Sequence, residues 1–221
     1  MTTADVASAH ADHGHDDHGV AYDEHFGHAT GGKVGMWMFI AQDGMSFGGL
    51  LLAYGILRFT ASDWPVPAEV LGIPLTAAAT FLLICSSVTM VMAVEAAKNR
   101  NQKSLVNWLW LTILGGATFL GIQYYEYSHL VDVGIKFANS TYEYGGEVIN
   151  PLFGSTFYAV TGFHGLHVLS GVIYLLCIQF KAMKGTYTQG GISYSPVELV
   201  GLFWHFVDLV WILVFTFIYL L

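Results

Sequence analysis

Five long runs of apolar residues follow a polar N-terminal segment along the chain. The runs cover residues 34–57, 74–94, 105–125, 152–180 and 197–221. Each is long enough to cross a bilayer, because a spanning helix needs about 20 apolar residues. Helices also satisfy every backbone hydrogen bond within the segment, which hydrocarbon demands. The pattern therefore predicts an all-α, polytopic membrane bundle of five transmembrane helices within residues 34–221.

The polar segment, residues 1–33, differs sharply in composition. It holds six histidines, His10, His13, His15, His18, His25 and His28, and six acids, Asp5, Asp12, Asp16, Asp17, Asp23 and Glu24. It offers too little apolar area to offset chain entropy, so we predict a flexible tail. Three alternatives are open for it. It could be a solvated acidic tail, it could order against neighbouring subunits, or its histidines and aspartates could bind Cu or Zn.

Composition and charge support a membrane location. Of the 221 residues, 54% are hydrophobic and only 11% are charged, whereas a soluble domain carries about 25% charged residues. The net charge is −8 and the few basic residues are scattered, which argues against a nucleic-acid partner. The two cysteines, Cys85 and Cys177, lie inside apolar runs without metal-ligand spacing, so we predict that they are buried small hydrophobes.

The basic residues between the runs predict an orientation. Lys98, Arg100 and Lys103 follow the second run, and Lys181 and Lys184 follow the fourth. The intervening loop carries one lysine against four acids. The positive-inside rule therefore predicts a cytoplasmic N-terminus and a C-terminus on the opposite side.

A few ionisable residues lie within or at the edges of the runs, where each needs a partner or a cavity. They are Asp43, Glu126, His164, His167, Glu198, His205 and Asp208. The last three share one side of the fifth predicted helix with Gly201, because their spacing is i, i+3, i+7, i+10. For Asp43 we expect Ser46 and Gln42 to be local hydrogen-bond donors. Gly44 and Gly48 form a GxxxG pair, which is typical of close helix packing.

Three readings of the histidines follow from spacing alone. Histidines on facing membrane helices hold haem or metal in some proteins. A series of histidines and carboxylates can also relay protons. The third reading is structural, with hydrogen-bonded pairs and lipid contacts that hold helices together. The i, i+3 spacing of His164 and His167 argues against a haem-binding pair.

Four stretches resemble the signature segments of one family. The fourth run reads Gly154-Ser-Thr-Phe-Tyr-Ala-Val-Thr-Gly-Phe-His-Gly-Leu-His167, and the fifth contains Phe203-Trp-His-Phe-Val-Asp-Leu-Val-Trp211. Earlier in the chain lie Gly35-Met-Trp-Met-Phe-Ile-Ala-Gln-Asp43 and Gln123-Tyr-Tyr-Glu-Tyr127. All four are similar to segments of cytochrome c oxidase subunit III, in the family's order.

The resemblance implies a subunit without a catalytic centre, haem, copper or other metal of its own, in a haem-copper oxidase that reduces oxygen and pumps protons. It implies packing on the catalytic subunit I, contact with other oxidase subunits, and five helices in two groups around a cleft that holds phospholipids. Membership of a respiratory supercomplex is left open. The location implied is the bacterial cytoplasmic membrane. The seven ionisable residues above become structural or lipid-binding, and the subunit supports proton uptake and sustained turnover.

Two departures from the family pattern stand out. Many members have seven spans, so this chain resembles a shorter bacterial form, and Asp43 stands where the family usually has Glu.

The electron donor, cytochrome c or quinol, is left open by a subunit that does not bind it. Two other functions compete: an accessory membrane protein of a nitric oxide reductase system, and a free-standing haem-bearing cytochrome.

Overall fold

The computed structural model describes residues 31–61, 63–138, 140–144, 147–187 and 194–221. Six α-helices occur there: α1 (Gly31–Thr60), α2 (Pro67–Val70), α3 (Ile73–Lys98), α4 (Gln102–Val133), α5 (Pro151–Met183) and α6 (Ser195–Phe215). A π-helical turn, Thr216–Leu220, extends α6. All except α2 are long and apolar enough to cross a membrane. The prediction of an all-α bundle with five spans is confirmed.

Local sequence signals set the helix ends. Asn101 caps α4, because its side chain accepts a hydrogen bond from the Ser104 backbone N–H at 3.2 Å. Asn150 does the same for α5 through the Leu152 N–H at 3.0 Å. Gly134 ends α4 in the left-handed region, with φ of 106°, a conformation that glycine adopts without strain. The helices therefore extend past the apolar runs, because capping residues rather than hydrophobicity decide where they stop.

The long helices form one continuous set of contacts with α6 in the middle. Helix α3 packs on α4, α4 packs on α5, and α6 contacts α1, α3 and α5. Helix α1 packs on α6 and, less extensively, on α5. The finer prediction, two groups of helices around a lipid-holding cleft, stays a prediction.

The indole of Trp204 on α6 lies at the centre of the bundle, in contact with α3, α4 and α5. Its ring is 1% exposed, and its Nε1–H donates to the Ser86 Oγ of α3 at 3.1 Å. A Cβ added at Gly116 on α4 would overlap this ring, and one at Gly171 on α5 would lie 3.0 Å from it. Glycine at these two positions therefore lets α4 and α5 approach α6. In the GxxxG pair, a Cβ at Gly44 would lie at an ordinary contact distance, 3.8 Å, from Phe206, and one at Gly48 would meet nothing within 4 Å, so neither glycine is required for close packing among the described residues.

Large apolar side chains cover the outer surfaces of the bundle. On α1, Met45 is 77% exposed and Phe59 is 92% exposed. Cys85 and Cys177 are also exposed, so the prediction that they are buried was wrong. Spacing places these cysteines in apolar helices but does not say which side of the helix meets a neighbour. Such surfaces suit a bilayer, where lipid or another subunit covers them.

The connection between α4 and α5 folds over one end of the bundle. Two short strands, β1 (Glu143–Tyr144) and β2 (Glu147–Val148), pair antiparallel within it. Tyr158 on α5 donates its hydroxyl to the Ile135 carbonyl at 2.9 Å and so fastens the connection to the helix. The opposite end carries Lys98, Arg100, Lys103, Lys181 and Lys184. We call it the basic end.

Candidate functional site

The seven predicted site residues all lie on long helices, but they do not form one site. Asp43 and His167 meet each other, and Glu126 lies in a separate cluster. Glu198 and His205 line a cavity at the basic end, with Asp208 beyond them. His164 stands alone among aromatic rings. The candidate site is therefore a set of polar contacts between helices.

Asp43 on α1 contacts His167 on α5. The His167 Nε2 lies 3.2 Å from the Asp43 Oδ2, within ion-pair distance, although the contact lacks the alignment of a good hydrogen bond. Ser46 donates instead to the carbonyl of Gln42 in its own helix. The prediction of Ser46 as a donor to Asp43 was wrong, because a hydroxyl in an apolar helix satisfies itself on the preceding turn.

The second ring nitrogen of His167 contacts a carbonyl of its own helix. Its Nδ1 lies 2.8 Å from the Phe163 carbonyl, which can only accept, so Nδ1 carries a hydrogen. The Nε2 atom is then the ring nitrogen that faces the Asp43 carboxyl. This arrangement ties α1 to α5.

Both carboxylate oxygens of Glu126 accept a hydrogen bond from a hydroxyl group. Its Oε1 accepts a hydrogen bond from Thr76 of α3 at 3.0 Å, and its Oε2 accepts one from Tyr219, in the turn after α6, at 2.9 Å. The side chain is 6% exposed. Glu126 therefore joins three helices at one point. The sequence did not identify these two partners, because neither residue type nor spacing marks a hydroxyl 50 or more positions away.

A neighbouring set of uncharged groups joins α4 to α5. The Gln123 Nε2 donates to the Tyr127 hydroxyl at 3.1 Å and to the Thr161 carbonyl at 3.0 Å. The Tyr127 hydroxyl and the Thr161 Oγ1 are 2.7 Å apart. With the Glu126 cluster, this set places the polar residues of the Gln123–Tyr127 stretch at helix contacts.

His164 is fully buried, and neither ring nitrogen has a hydrogen-bond partner among the described residues. Its ring stacks on Trp211, with centroids 4.7 Å apart, and meets the edge of Phe119 at 5.8 Å. His164 and His167 both meet the ring of Phe47 on α1, with ring centroids 6.4 and 5.3 Å apart, respectively. The surroundings of His164 are aromatic packing.

The predicted stripe on α6 opens onto a cavity of about 390 Å³ at the basic end. Glu198, Gly201 and His205 line it together, as their spacing indicated. The Glu198 Oε2 lies 2.7 Å from the Lys33 Nζ of α1. The His205 Nδ1 lies 2.6 Å from the Ser87 Oγ of α3.

Within the described residues, no three or more His, Cys, Asp or Glu side chains are placed to hold a metal ion. The candidate Cu or Zn ligands of the tail, His13, His15 and His18 with Asp12, Asp16 and Asp17, lie outside the described residues. So does the rest of the predicted flexible tail, except residues 31–33, which belong to the first turn of α1.

The sequence is similar to that of a known protein family over most of its length. The sequence profile described as cytochrome c oxidase subunit III matches residues 17–221. The chain belongs to the cytochrome c oxidase subunit III family. The cytochrome c oxidase subunit 3 of Alkalihalophilus pseudofirmus is 34% identical over 191 residues, covering 85% of each chain. The probable cytochrome c oxidase subunit 3 of Nocardia farcinica is 37% identical over 85% of this chain and 86% of its own.

The family's subunit III members include a quinol type. The cytochrome bo(3) ubiquinol oxidase subunit 3 of Pseudomonas aeruginosa is 30% identical over 93% of both chains. This chain is accordingly subunit III of a haem-copper oxidase of the cytochrome c or quinol type. It is a membrane protein whose partners are other subunits of an oxidase complex. The resemblance predicted from the four signature stretches is confirmed.

Proposed function

We propose that this subunit III packs on the catalytic subunit I, binds phospholipid, and supports proton uptake and sustained turnover of the oxidase. The proposal rests on the contacts that the ionisable groups of the spans make with other helices. Asp43 meets His167, Glu126 meets two hydroxyls, and Lys33 meets Glu198 across helices. These groups act on helix packing, as a supporting subunit requires. The haem and copper of the reaction then belong to the partner subunits.

The outer surfaces supply the contacts for lipid and partner. Exposed apolar residues such as Met45 and Phe59 give α1 a side that only hydrocarbon or another membrane helix can cover. The cavity at the basic end combines an apolar lining with Lys33, Lys98, Glu95 and Glu198. Those charges suit the phosphate and amine of a phospholipid headgroup. We place the protein in the bacterial cytoplasmic membrane, with the basic end on the cytoplasmic side.

Mild solubilisation followed by identification of the co-purifying proteins tests the assignment to subunit I. We expect an oxidase subunit I in stoichiometric amount, and preferential oxidation of either reduced cytochrome c or ubiquinol then identifies the donor. Recovery of a nitric oxide reductase subunit in its place would contradict the proposal. Further respiratory complexes in the same preparation would indicate a supercomplex.

Sustained turnover is tested by comparing oxidase purified with and without this chain. We expect similar initial rates of oxygen consumption, but faster loss of activity during turnover in the preparation without it. Restoring the purified subunit with phospholipid should recover the lifetime. Equal lifetimes in the two preparations would exclude this role.

The proposed absence of haem in this chain has its own test. We expect the isolated subunit to show no haem bands in a reduced-minus-oxidised optical spectrum, because His164 is enclosed by rings and His167 is engaged by Asp43 and a carbonyl. Haem bands that purify with this chain alone would contradict the proposal.

A further inference from the structure

Three hydrogen-bond donors lie together at the end of the bundle opposite the basic end. Tyr54 and Arg58 are one turn apart near the end of α1, and both line a cavity of about 460 Å³. Arg58 also lines a second cavity of about 240 Å³ with Trp64, which follows α1 in the chain. The rings of Tyr54 and Trp64 meet edge to face, with centroids 5.6 Å apart. We call these three residues the Arg58 cluster.

The buried donors of the Arg58 cluster lack acceptors. Tyr54 is 2% exposed, and its hydroxyl has no hydrogen-bond partner among the described residues. The Nε1 atom of Trp64 is also buried without a partner in that part of the chain. An indole N–H can only donate, and a hydroxyl hydrogen needs an acceptor. Because a buried donor without an acceptor is costly, an acceptor from outside the chain would complete the cluster.

Arg58 gives the cluster a positive charge and further donors. Its guanidinium donates to the carbonyl oxygen of Leu221, just after the π-helical turn. A guanidinium carries five N–H groups, so this bond leaves others for a second acceptor. Among the described residues, no Asp or Glu lines either cavity. The cluster therefore suits an acceptor with a negative charge, which makes shorter and stronger bonds to a guanidinium.

The position of the cluster corresponds to the headgroup layer of a membrane. Arg58 lies 25 positions after Lys33 on α1, which is about 38 Å along the helix axis. A bilayer with its headgroup layers is about 40–45 Å thick, so Arg58 and the basic end lie at opposite surfaces. Beside Arg58, the larger cavity is lined by Gly55, Phe59 and Phe217. Phe59 is 92% exposed, and a Cβ at Gly55 would meet nothing within 4 Å, which leaves an open apolar groove.

An acidic headgroup joined to acyl chains matches both parts of this site. We propose that the Arg58 cluster binds the phosphate of an anionic phospholipid, whose acyl chains lie in the groove of Phe59 and Phe217. A free phosphate would leave the apolar groove uncovered. A zwitterionic headgroup would bring an amine to a cavity that no Asp or Glu of the described residues lines, unlike the basic-end cavity with its Glu95 and Glu198. The site is separate from that cavity and does not depend on the lipid proposed there.

Native mass spectrometry of the intact, delipidated oxidase during titration with phosphatidylglycerol tests the site. Arg58→Gln keeps a polar side chain but removes the charge. We expect it to bind this lipid roughly tenfold more weakly at one position, the effect of losing a charged hydrogen bond. Arg58→Lys should recover part of the affinity. Lys136→Gln is the matched control, because it removes the same charge from the connection at the same end of the bundle, and it should bind as the natural protein does.

Tyr54→Phe separates lipid binding from packing. The ring stays, and the hydroxyl that is removed has no partner among the described residues. Without added lipid we therefore expect an unchanged thermal midpoint for release of the subunit from the oxidase. With phosphatidylglycerol the midpoint should rise less than in the natural protein. A lower midpoint without lipid, followed by the natural rise on adding it, would show that the hydroxyl acts in packing and would contradict the site.

Four further results would overturn the proposal. Three concern the lipid: natural phosphatidylglycerol binding in Arg58→Gln, equal affinities for phosphatidylcholine and phosphatidylglycerol, and displacement of the lipid by millimolar inorganic phosphate. The fourth is loss of a neighbouring subunit from Arg58→Gln with lipid binding intact, which would make a protein carboxylate the ligand.

Lys98→Gln, in the basic-end cavity, keeps the two lipid sites apart. If this variant binds lipid as the natural protein does while Arg58→Gln loses a site, the lipid proposed at the basic end fails and the Arg58 site stands. If Lys98→Gln loses a site and Arg58→Gln does not, the Arg58 site fails alone.

Discussion

At the scale of single residues, the effect of replacing Asp43 depends on its contact with His167 on another helix. Because His167 donates its Nδ1 hydrogen to the Phe163 carbonyl, a neutral ring presents Nε2 to Asp43 as an acceptor. An asparagine amide can donate to that nitrogen in place of an acid. A leucine cannot, and it would leave the ring nitrogen, in a side chain that is 15% exposed, without this partner.

We therefore expect Asp43→Asn to assemble and turn over nearly normally. Asp43→Leu should destabilise the subunit by about 1–3 kcal/mol, the typical cost of stranding a buried polar group. The thermal midpoint for release of the subunit from the purified oxidase measures this. His167→Leu on top of Asp43→Leu should add little, because the pair is already broken. Normal assembly of Asp43→Asn with loss of most proton-coupled turnover would instead place Asp43 on a proton path.

Glu126 allows a second prediction at this scale. Tyr219→Phe removes one of its two hydroxyl donors without changing ring packing. We expect a loss of about 1–3 kcal/mol, seen as a lower thermal midpoint for release of the subunit from the complex. Tyr124→Phe is the matched control, because Tyr124 is 77% exposed. Equal midpoints for the two variants would show that the Tyr219–Glu126 bond does not stabilise the bundle.

At the scale of the helices, their approach to the Trp204 ring is the decisive packing feature. Gly116→Ala on α4 puts a methyl group where the ring lies, so α4 and α6 must move apart. We expect a loss of about 1–3 kcal/mol, the usual range for an overpacked core. Gly121→Ala on the same helix meets nothing within 4 Å and should be neutral or slightly stabilising. The same thermal-release assay compares them, and similar values for both would contradict the packing role of Gly116.

Sequence patterns predict the elements better than the contacts between them. The five apolar runs gave the spans because burial in hydrocarbon imposes a length and a composition on each helix separately. The common side of Glu198, Gly201 and His205 also followed, because helical periodicity is local. Periodicity does not say which neighbour a side meets. Local sequence therefore predicts Ser46 of the same helix as the partner of Asp43, whereas in the structure the partner is His167 on α5.

At the scale of the whole molecule, the basic end predicts sidedness. Lys98, Arg100 and Lys103 lie with Lys181 and Lys184 at one end of the bundle, and the C-terminal residue Leu221 follows the last span toward the other. We expect a reporter enzyme that works only after export to be active when fused after Leu221. The same reporter fused in the connection between α5 and α6 is the control and should be inactive. Activity of the Leu221 fusion only in the cytoplasm would reverse the orientation.

The limited packing of α1 has a consequence for how the protein is made. Helix α1 leaves the ribosome before α5 and α6, yet those are the helices it packs on. Until they are inserted, Asp43 lacks His167 and Lys33 lacks Glu198. Helix α1 must therefore wait in the bilayer with an unpaired acid, and it can take its final position only after α5 and α6 have been inserted. A newborn chain that stalls before α5 keeps this acid without its partner.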